Sequence, residues 1–553
     1  MDKNIKIIVA IPARGGSKGI PGKNIRMMCG KPLLAYSIEN ALSLKNAFRG
    51  SVVDVVVDTD DEEIAEIAKH YGAEVIMRPA ELAGDDVTLD PVIFHAVTVK
   101  EAEVNDKYDI VMTMQPTSPT LRAITLQQAV EEFVESDKDT VISGVNAPHL
   151  SWTTDAAGNK IPAYEKRLNR QYLPAHYMET GAFVISRREC VSESGRIGKT
   201  VDIFELSEEE SVDIDTASDW QLCEAILGRK KIILRADGEE TLGMGHIYRC
   251  LSLAYHLTGH KVLFVTKKSA KLGADRIEAS HFKYRLIDND EEFFKIIDEE
   301  KPDIVVNDIL NTEASYIEKL KLKVPRVVNF EDKGTGADLA DAVINALYLD
   351  KNRHNRFNGF KYYFLRDEFL TANPKEFSDE VKNVLVMFGG SDPSNLTRKA
   401  YTALQNISEE FPGMEFHIIT GYGYKYKNEI CDDEVHNIFI HNDVKRVTTF
   451  MQEADLAITS QGRTIYELAA MGVPSVVLAQ NTREMEHAFA SVQNGYINLG
   501  LGSEQNEETI QSTVEWLIRT PNVRREMHET LRKNDFTKGQ KRVISLILGD
   551  EEQ

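Results

Sequence analysis

The sequence predicts a multi-domain α/β protein built on largely parallel sheets, and three observations carry that expectation. Apolar runs of strand length recur without polar alternation, as strands buried on both faces do. Segments of helical periodicity separate those runs. The length of 553 residues exceeds what one core serves, and a prior of roughly 150 residues per domain suggests three or four units.

The first run is Ile7-Ile8-Val9-Ala10-Ile11, which breaks into a loop, Pro12 to Asn24, with four glycines, a serine and the cations Arg14, Lys18 and Lys23. Glycines let backbone N–H groups approach an anion, and the cations oppose its charge. The spacing is neither a Walker A loop nor a dinucleotide fingerprint, so the expectation is a polyphosphate cradle of another type. A helix should begin at Pro32 and run through Leu42, followed by a strand over Val52 to Val57. Asp60 or Asp61 can then cap a helix over Ile64 to Tyr71. Strands over Glu74 to Met77 and Asp109 to Met114 lead to Arg78-Pro79 and Gln115-Pro116-Thr117-Ser118-Pro119. Ligands of parallel sheets gather at strand C-termini, so the glycine loop, Asp58 to Asp60 and Gln115 should share one crevice.

Residues 146 to 180 read as an irregular flap or dimerisation arm, and Gly181 to Ser186 as a returning strand. Ser211 to Thr216 carries Asp213 and Asp215, which in a strand project from one face. Thr216 with Asp219 begins the helix Trp220 to Leu227. The pattern restarts at Lys231 to Asp237, then Gly243-Met244-Gly245-His246 and a helix over Ile247 to Leu257. It restarts again at Asn383 to Phe388, before Gly389-Gly390-Ser391. The expected domains are 1–228, 231–378 and 379–553, the last two forming one two-lobed body with its ligand between the lobes.

Composition narrows the functions. A hydrophobic share of 42 % and a charged share of 27 % describe a soluble globular protein, and the net charge of -22 argues against nucleic-acid or anionic-membrane binding. The five cysteines lie far apart without a CxxC pair, which fits a reducing, cytoplasmic setting. No apolar segment approaches the ~18 residues that span a bilayer.

Ile11 to Gly19, Lys23-Asn24, Arg78-Pro79, Gln115 to Pro119 and Asp213-Ile214-Asp215 resemble, in that order, the motifs of CMP-sialic acid synthetases over about residues 4 to 228. The resemblance implies attack of a nonulosonic acid's anomeric hydroxyl on the α-phosphate of CTP, with loss of pyrophosphate. It assigns Arg14, Gly15, Ser17, Lys18 and Lys23 to the triphosphate, with Lys18 catalytic, and Asn24 to the nucleoside. Gln115 and Thr117 would meet the acceptor sugar, and Asp213 and Asp215 would carry Mg2+. It also implies a homodimer through this domain. Asp58 departs from the family, which more often has a small hydroxyl residue there.

Arg235-Ala236-Asp237, Gly243 to Ile247 and Arg249-Cys250 resemble the nucleotide-sugar hydrolase of pseudaminic acid biosynthesis and its spore-coat polysaccharide relatives. Gly389-Gly390-Ser391 and Ser460 to Ala470 extend the likeness to the wider GT-B group over about 231 to 553. It implies that His246 is a general base for hydrolysis of a UDP-linked amino sugar, with Gly243, Gly245, Gly389, Gly390, Ser391 and Glu467 on the nucleotide. Asn481 would touch substrate, and no cofactor is expected here. Asn307-Asp308-Ile309-Leu310 lacks the tyrosine that the hydrolases carry after this strand. A glycosyltransferase or a non-catalytic sugar-nucleotide module stays open beside the hydrolase.

Overall fold

The computed structural model describes residues 5–16, 19–84, 86–238, 244–348 and 354–550. The chain divides into two compact units, Met1–Arg229 and Lys230–Gln553.

The first unit is a seven-stranded sheet. Its strands are β1 (Lys6–Pro12), β2 (Val52–Thr59), β3 (Glu74–Met77), β4 (Ile110–Met114), β5 (Thr140–Asn146), β6 (Tyr177–Arg187) and β7 (Val201–Glu205), in the order β7-β5-β6-β4-β1-β2-β3. All neighbours are parallel except β6, which runs antiparallel to β4 and β5. Ile7 to Ile11 are wholly buried, as the unbroken apolar run requires of a central strand. Because β4, β1 and β2 are neighbours, the loops leaving their C-terminal ends adjoin. Asp61 is the helix cap, its Oδ1 accepting the Glu63 and Ile64 N–H groups. The segment around Asp213 corrects the sequence reading. It joins no sheet, and its tie is an Ile214 N–H bond of 2.9 Å to the Thr117 carbonyl. The expected arm contains a hairpin, Trp152–Thr154 against Lys160–Pro162, with every strand residue exposed.

The second unit holds two all-parallel sheets. The first comprises β8 (Lys231–Ala236), β9 (Lys261–Lys267), β10 (Tyr284–Ile287), β11 (Ile304–Asp308), β12 (Arg326–Phe330), β13 (Ala342–Asn345) and β14 (Arg356–Asn358), ordered β10-β9-β8-β11-β12-β13-β14. The second comprises β15 (Asn383–Met387), β16 (Glu415–Thr420), β17 (Ile438–Asn442), β18 (Leu456–Ser460), β19 (Ser475–Ala479) and β20 (Tyr496–Leu501), ordered β17-β16-β15-β18-β19-β20. An aromatic pile joins the lobes. Tyr363, beyond β14, stacks on Tyr466 at 4.2 Å, and Tyr466 on Phe489 at 4.6 Å. The helix Gly539–Leu548 leaves the second lobe and buries Val543, Leu546 and Ile547 among Ile232, Leu234 and Val306 of the first. Arg326 donates to its last carbonyls, Leu546 at 2.7 Å and Ile547 at 3.0 Å, placing a cation on the negative end of that helix.

Beyond β19, the Glu484 carboxylate folds back to accept the Gln480 N–H at 2.8 Å. Burial, reinforced by the charge of Asp392, pushes its pKa from 4.5 up to about 7. A raised carboxyl pKa means the folded state binds the proton more tightly than the unfolded chain. This group's contribution is therefore complete below pH 4.5 and is lost as pH rises through 7. Glu484→Gln should leave the second unit about as stable as the parent at pH 4 and more stable by about 3 kcal/mol at pH 8. Urea unfolding at both values checks this, and a difference independent of pH would refute it.

Candidate functional site

In the first unit the glycine loop is held by acids. The Gly15 N–H donates to Asp60 Oδ1 at 3.0 Å, and the buried Asn24 amide donates to the Arg14 carbonyl at 3.0 Å. Asn24 therefore shapes the loop directly. Asp58, wholly buried, takes a charge-assisted bond from Arg78 Nε and lies 3.1 Å from His95 Nδ1, while Arg78 also reaches its carbonyl. The substituted position is thus satisfied by Arg78, the arginine of the Arg78-Pro79 motif.

The loop closes on the acidic segment. Lys23 Nζ donates to the Ile214 carbonyl and stands 3.8 Å from Asp215 Oδ1. A Cβ on Gly19 would lie 2.5 Å from the Asp215 carbonyl oxygen, so only glycine permits this approach. Gly181, at φ +69° in the irregular stretch of β6, makes room for Gln115 and Asp213. A Cβ there would meet Gln115 Nε2 at 3.0 Å and Asp213 Oδ2 at 3.5 Å. Arg14, Gly15, Lys23, Asn24, Gln115, Thr117, Asp213 and Asp215 thus belong to loops around one strand-end region. Ser17 and Lys18 lie outside the described residues.

The two carboxylates differ. Asp215 keeps 79 % of its side chain exposed, whereas Asp213 Oδ1 is buried with no hydrogen-bond partner among the described residues. Burial, then the nearby charge of Asp215, raises the Asp213 pKa. Among the described residues no group of three or more His, Cys, Asp or Glu side chains could enclose a metal. An orphaned carboxylate oxygen beside a second carboxylate nevertheless suits a hard divalent cation that draws its other ligands from phosphate and water.

In the second unit His246 sits in the first turn of the helix Gly245–His256 and is buried. Its Nδ1 lies 2.5 Å from Oδ1 of Asp308, the last residue of β11. A carboxylate there favours the tautomer protonated at Nδ1 and leaves Nε2 to accept a proton. Arg249 Nε donates to Asp308 Oδ2 at 2.7 Å, and Arg249 Nη1 to Glu331 Oε1. Burial alone would raise the Asp308 pKa, but Arg249 and His246 outweigh it and hold the carboxyl well below the usual range. Arg463, just before the helix Thr464–Met471, donates to Glu331 Oε2 at 3.0 Å. Its Nη1 stands 2.7 Å from where a Cβ on Gly245 would lie. Gly390 faces the same turn, with its Cβ position 3.9 Å from Met244 Cβ.

Other assigned residues are otherwise engaged. Glu467, buried, accepts from Arg366 Nε at 2.8 Å through Oε1. Asn481 Oδ1 accepts the Glu484 N–H at 3.0 Å. Gly389 turns at φ +83°, the Gly390 carbonyl accepts the Gly423 N–H at 3.0 Å, and Ser391 precedes Asp392. The Asp392 carboxylate itself caps the helix Leu396–Glu410 through the Leu396 and Thr397 N–H groups. Gly243 lies outside the described residues. Sequence reasoning placed Asp60 in the crevice but did not assign Asp308, Glu331, Arg366 or Arg463. For Asp308 and Glu331 a signal existed, a carboxylate at or just past the end of an apolar strand.

No helix among the described residues is long and apolar enough to cross a membrane. Residues 8–232 match the family model described as cytidylyltransferase, and residues 384–543 match that of the glycosyltransferase family 28 C-terminal domain. An uncharacterised protein of Methanocaldococcus jannaschii is 32 % identical over 279 residues, 46 % of this chain and 57 % of that protein. The pseudaminic acid cytidylyltransferase of Campylobacter jejuni is 32 % identical over 232 residues, 40 % of this chain and 96 % of that protein. The CMP-N,N'-diacetyllegionaminic acid synthase of Legionella pneumophila is 31 % identical over 233 residues, 40 % of this chain and 97 % of that protein. The chain spans about half the length of the first curated relatives it matches. With its mainly parallel α/β sheet and the motif loops at the strand ends, the chain belongs through its first unit to the cytidylyltransferase family.

Proposed function

We propose that this chain is a bifunctional enzyme of nonulosonic acid biosynthesis. Its first unit transfers CMP from CTP to the anomeric hydroxyl of a nonulosonic acid and releases pyrophosphate. The observation that carries this reading is the closure of the cationic glycine loop on Asp213-Ile214-Asp215 through Lys23 and Gly19. Transfer of this kind depends on positioning and on neutralising charge at the leaving phosphates. Arg14, Lys18 and Lys23 are the cations for that task, and Gln115 orients the acceptor beside Asp213. Asp213 and Asp215 would hold Mg2+, which would polarise the attacked phosphate. Lys23, now on the Ile214 carbonyl, would exchange that bond for a phosphate oxygen.

The second unit hydrolyses a UDP-linked acetamido sugar. His246 Nε2 takes the proton of a water that attacks the anomeric carbon, Asp308 stabilises the resulting imidazolium, and UDP departs with the anomeric C–O bond electrons. The His246–Asp308 contact supports hydrolysis over mere binding, and a glycosyl transfer would use the same dyad with a sugar hydroxyl in place of water. The exposed Trp152, Tyr172, Tyr177 and Met178 of the first unit support a homodimer formed through that arm.

Pyrophosphate release from CTP should occur with at least one acid of a panel of sialic, legionaminic and pseudaminic acids, with Mg2+ present. Asp213→Asn should lower that rate by about a hundredfold or more; no release with any ulosonic acid defeats the assignment. His246→Ala should abolish UDP release from a UDP-acetamido-sugar, and Asp308→Asn should lower it by roughly a hundredfold. Release unchanged in His246→Ala would remove the histidine from the chemistry, while transfer to an added sugar acceptor would favour the transferase. Light scattering should give twice the chain mass, falling to one in a Trp152→Ser/Tyr172→Ser variant; a parent chain of single mass would exclude the dimer.

A further inference from the structure

The buried charges between the lobes form one chain: Arg463, Glu331, Arg249, Asp308 and His246. Within this network two guanidiniums face two carboxylates, so its own charges balance without a ligand. A diphosphate that takes a cation from the network must draw it out of that balance, since an anion with no partner in a water-poor cleft is strongly disfavoured.

The two arginines are not equally held. Arg249 donates to both Asp308 oxygens and to Glu331, and its side chain is 9 % exposed. Among the described residues Arg463 has one carboxylate partner, Glu331 at 3.0 Å, and it is 21 % exposed. It is also the one that reaches across the cleft, from the end of β18 to the Gly245 turn of the other lobe. Glu331 is a non-glycine residue at φ +51°, a left-handed conformation that side chains disfavour and that the surrounding contacts hold. Its side chain is 6 % exposed, and its carbonyl accepts from Arg483 Nη2 at 3.3 Å. Burial opposes its ionisation, but Arg249 and Arg463 hold its pKa down at about 2, so it is a fixed anion.

We propose that Glu331 stands in for a ligand phosphate: it parks the Arg463 guanidinium against the Gly245 turn, and a nucleoside diphosphate takes that guanidinium over on binding. The proposal rests on the sugar-nucleotide reading of the second unit. Asp308 and Arg249 remain paired during the exchange, so the His246 contact is kept while the cation moves.

Isothermal titration of the full chain with UDP and with uridine tests this. Removing the competing carboxylate by Glu331→Gln should tighten UDP about tenfold, and Arg463→Gln should weaken it about tenfold or more. Uridine, which has no phosphates, should bind each variant within about twofold of the parent, which also reports that each variant is folded. In the double variant the gain from Glu331→Gln should vanish, because the competition acts through Arg463. UDP binding that is unchanged or weakened in Glu331→Gln, or a gain that persists without Arg463, overturns the proposal. Should Glu331→Gln not fold, Arg463→Gln decides alone: UDP affinity equal to the parent's overturns it. If the parent binds no nucleoside diphosphate, the nucleotide reading of this unit fails with it; if it binds UDP and the variants do not differ, only the exchange fails.

Discussion

Burial of both faces of largely parallel sheets dictates where this chain places its chemistry. Strands such as Ile7 to Ile11 or Val384 to Val386 lie between helical layers and have no face for a polar side chain. Polar groups collect where strands end and backbone N–H groups and carbonyls run out of partners. Asp60, Gln115, Asp308, Glu331, Gly389 and Arg463 all sit within a few residues of a strand C-terminus. The two units reach similar solutions because the same constraint acts on each.

The solutions differ in their electrostatics. The first unit keeps its acidic segment partly wet, with Asp215 in solvent and one oxygen of Asp213 unpartnered among the described residues. Such a pair is poorly balanced alone, and a cation would complete it. The second unit is already balanced. Asp308 and Glu331 are buried, and each is ionised because arginines are in contact with it. Removing one member of such a network is far more damaging than replacing all of it, because an unpaired buried charge remains.

Much of this was legible in the sequence, for reasons that differ by element. Most central strands followed from apolar runs, and helix starts from capping residues such as Asp61 and the Thr216–Asp219 capping box, but the interior strand Thr140–Asn146, its run broken by Ser143 and Gly144, did not. The edge strands Val201–Glu205, Arg356–Asn358 and Ile438–Asn442 did not, because they are partly exposed and hold no more than three apolar residues in a row. The Asp213–Asp215 motif was recognisable but its setting was not, since nothing local separates an extended loop from a strand. His246 could be picked out from its glycine turn, whereas Asp308 drew notice mainly for the tyrosine missing near it. Glu467 carried a motif, but its partner Arg366 lies far upstream and only the fold brings the two into contact.

The returning helix Gly539–Leu548 has a consequence for how the protein is made. It supplies part of the core of the first lobe of the second unit, against Ile232, Leu234 and Val306. A ribosome delivers it only after the whole second lobe has emerged, so the earlier lobe waits through that time with an apolar face open to water. Nascent chains of this protein thus expose a sticky surface for longer than their order of domains suggests. A truncation that spares every glycine turn and every charged residue of the cleft, but loses this helix, would still leave that surface uncovered.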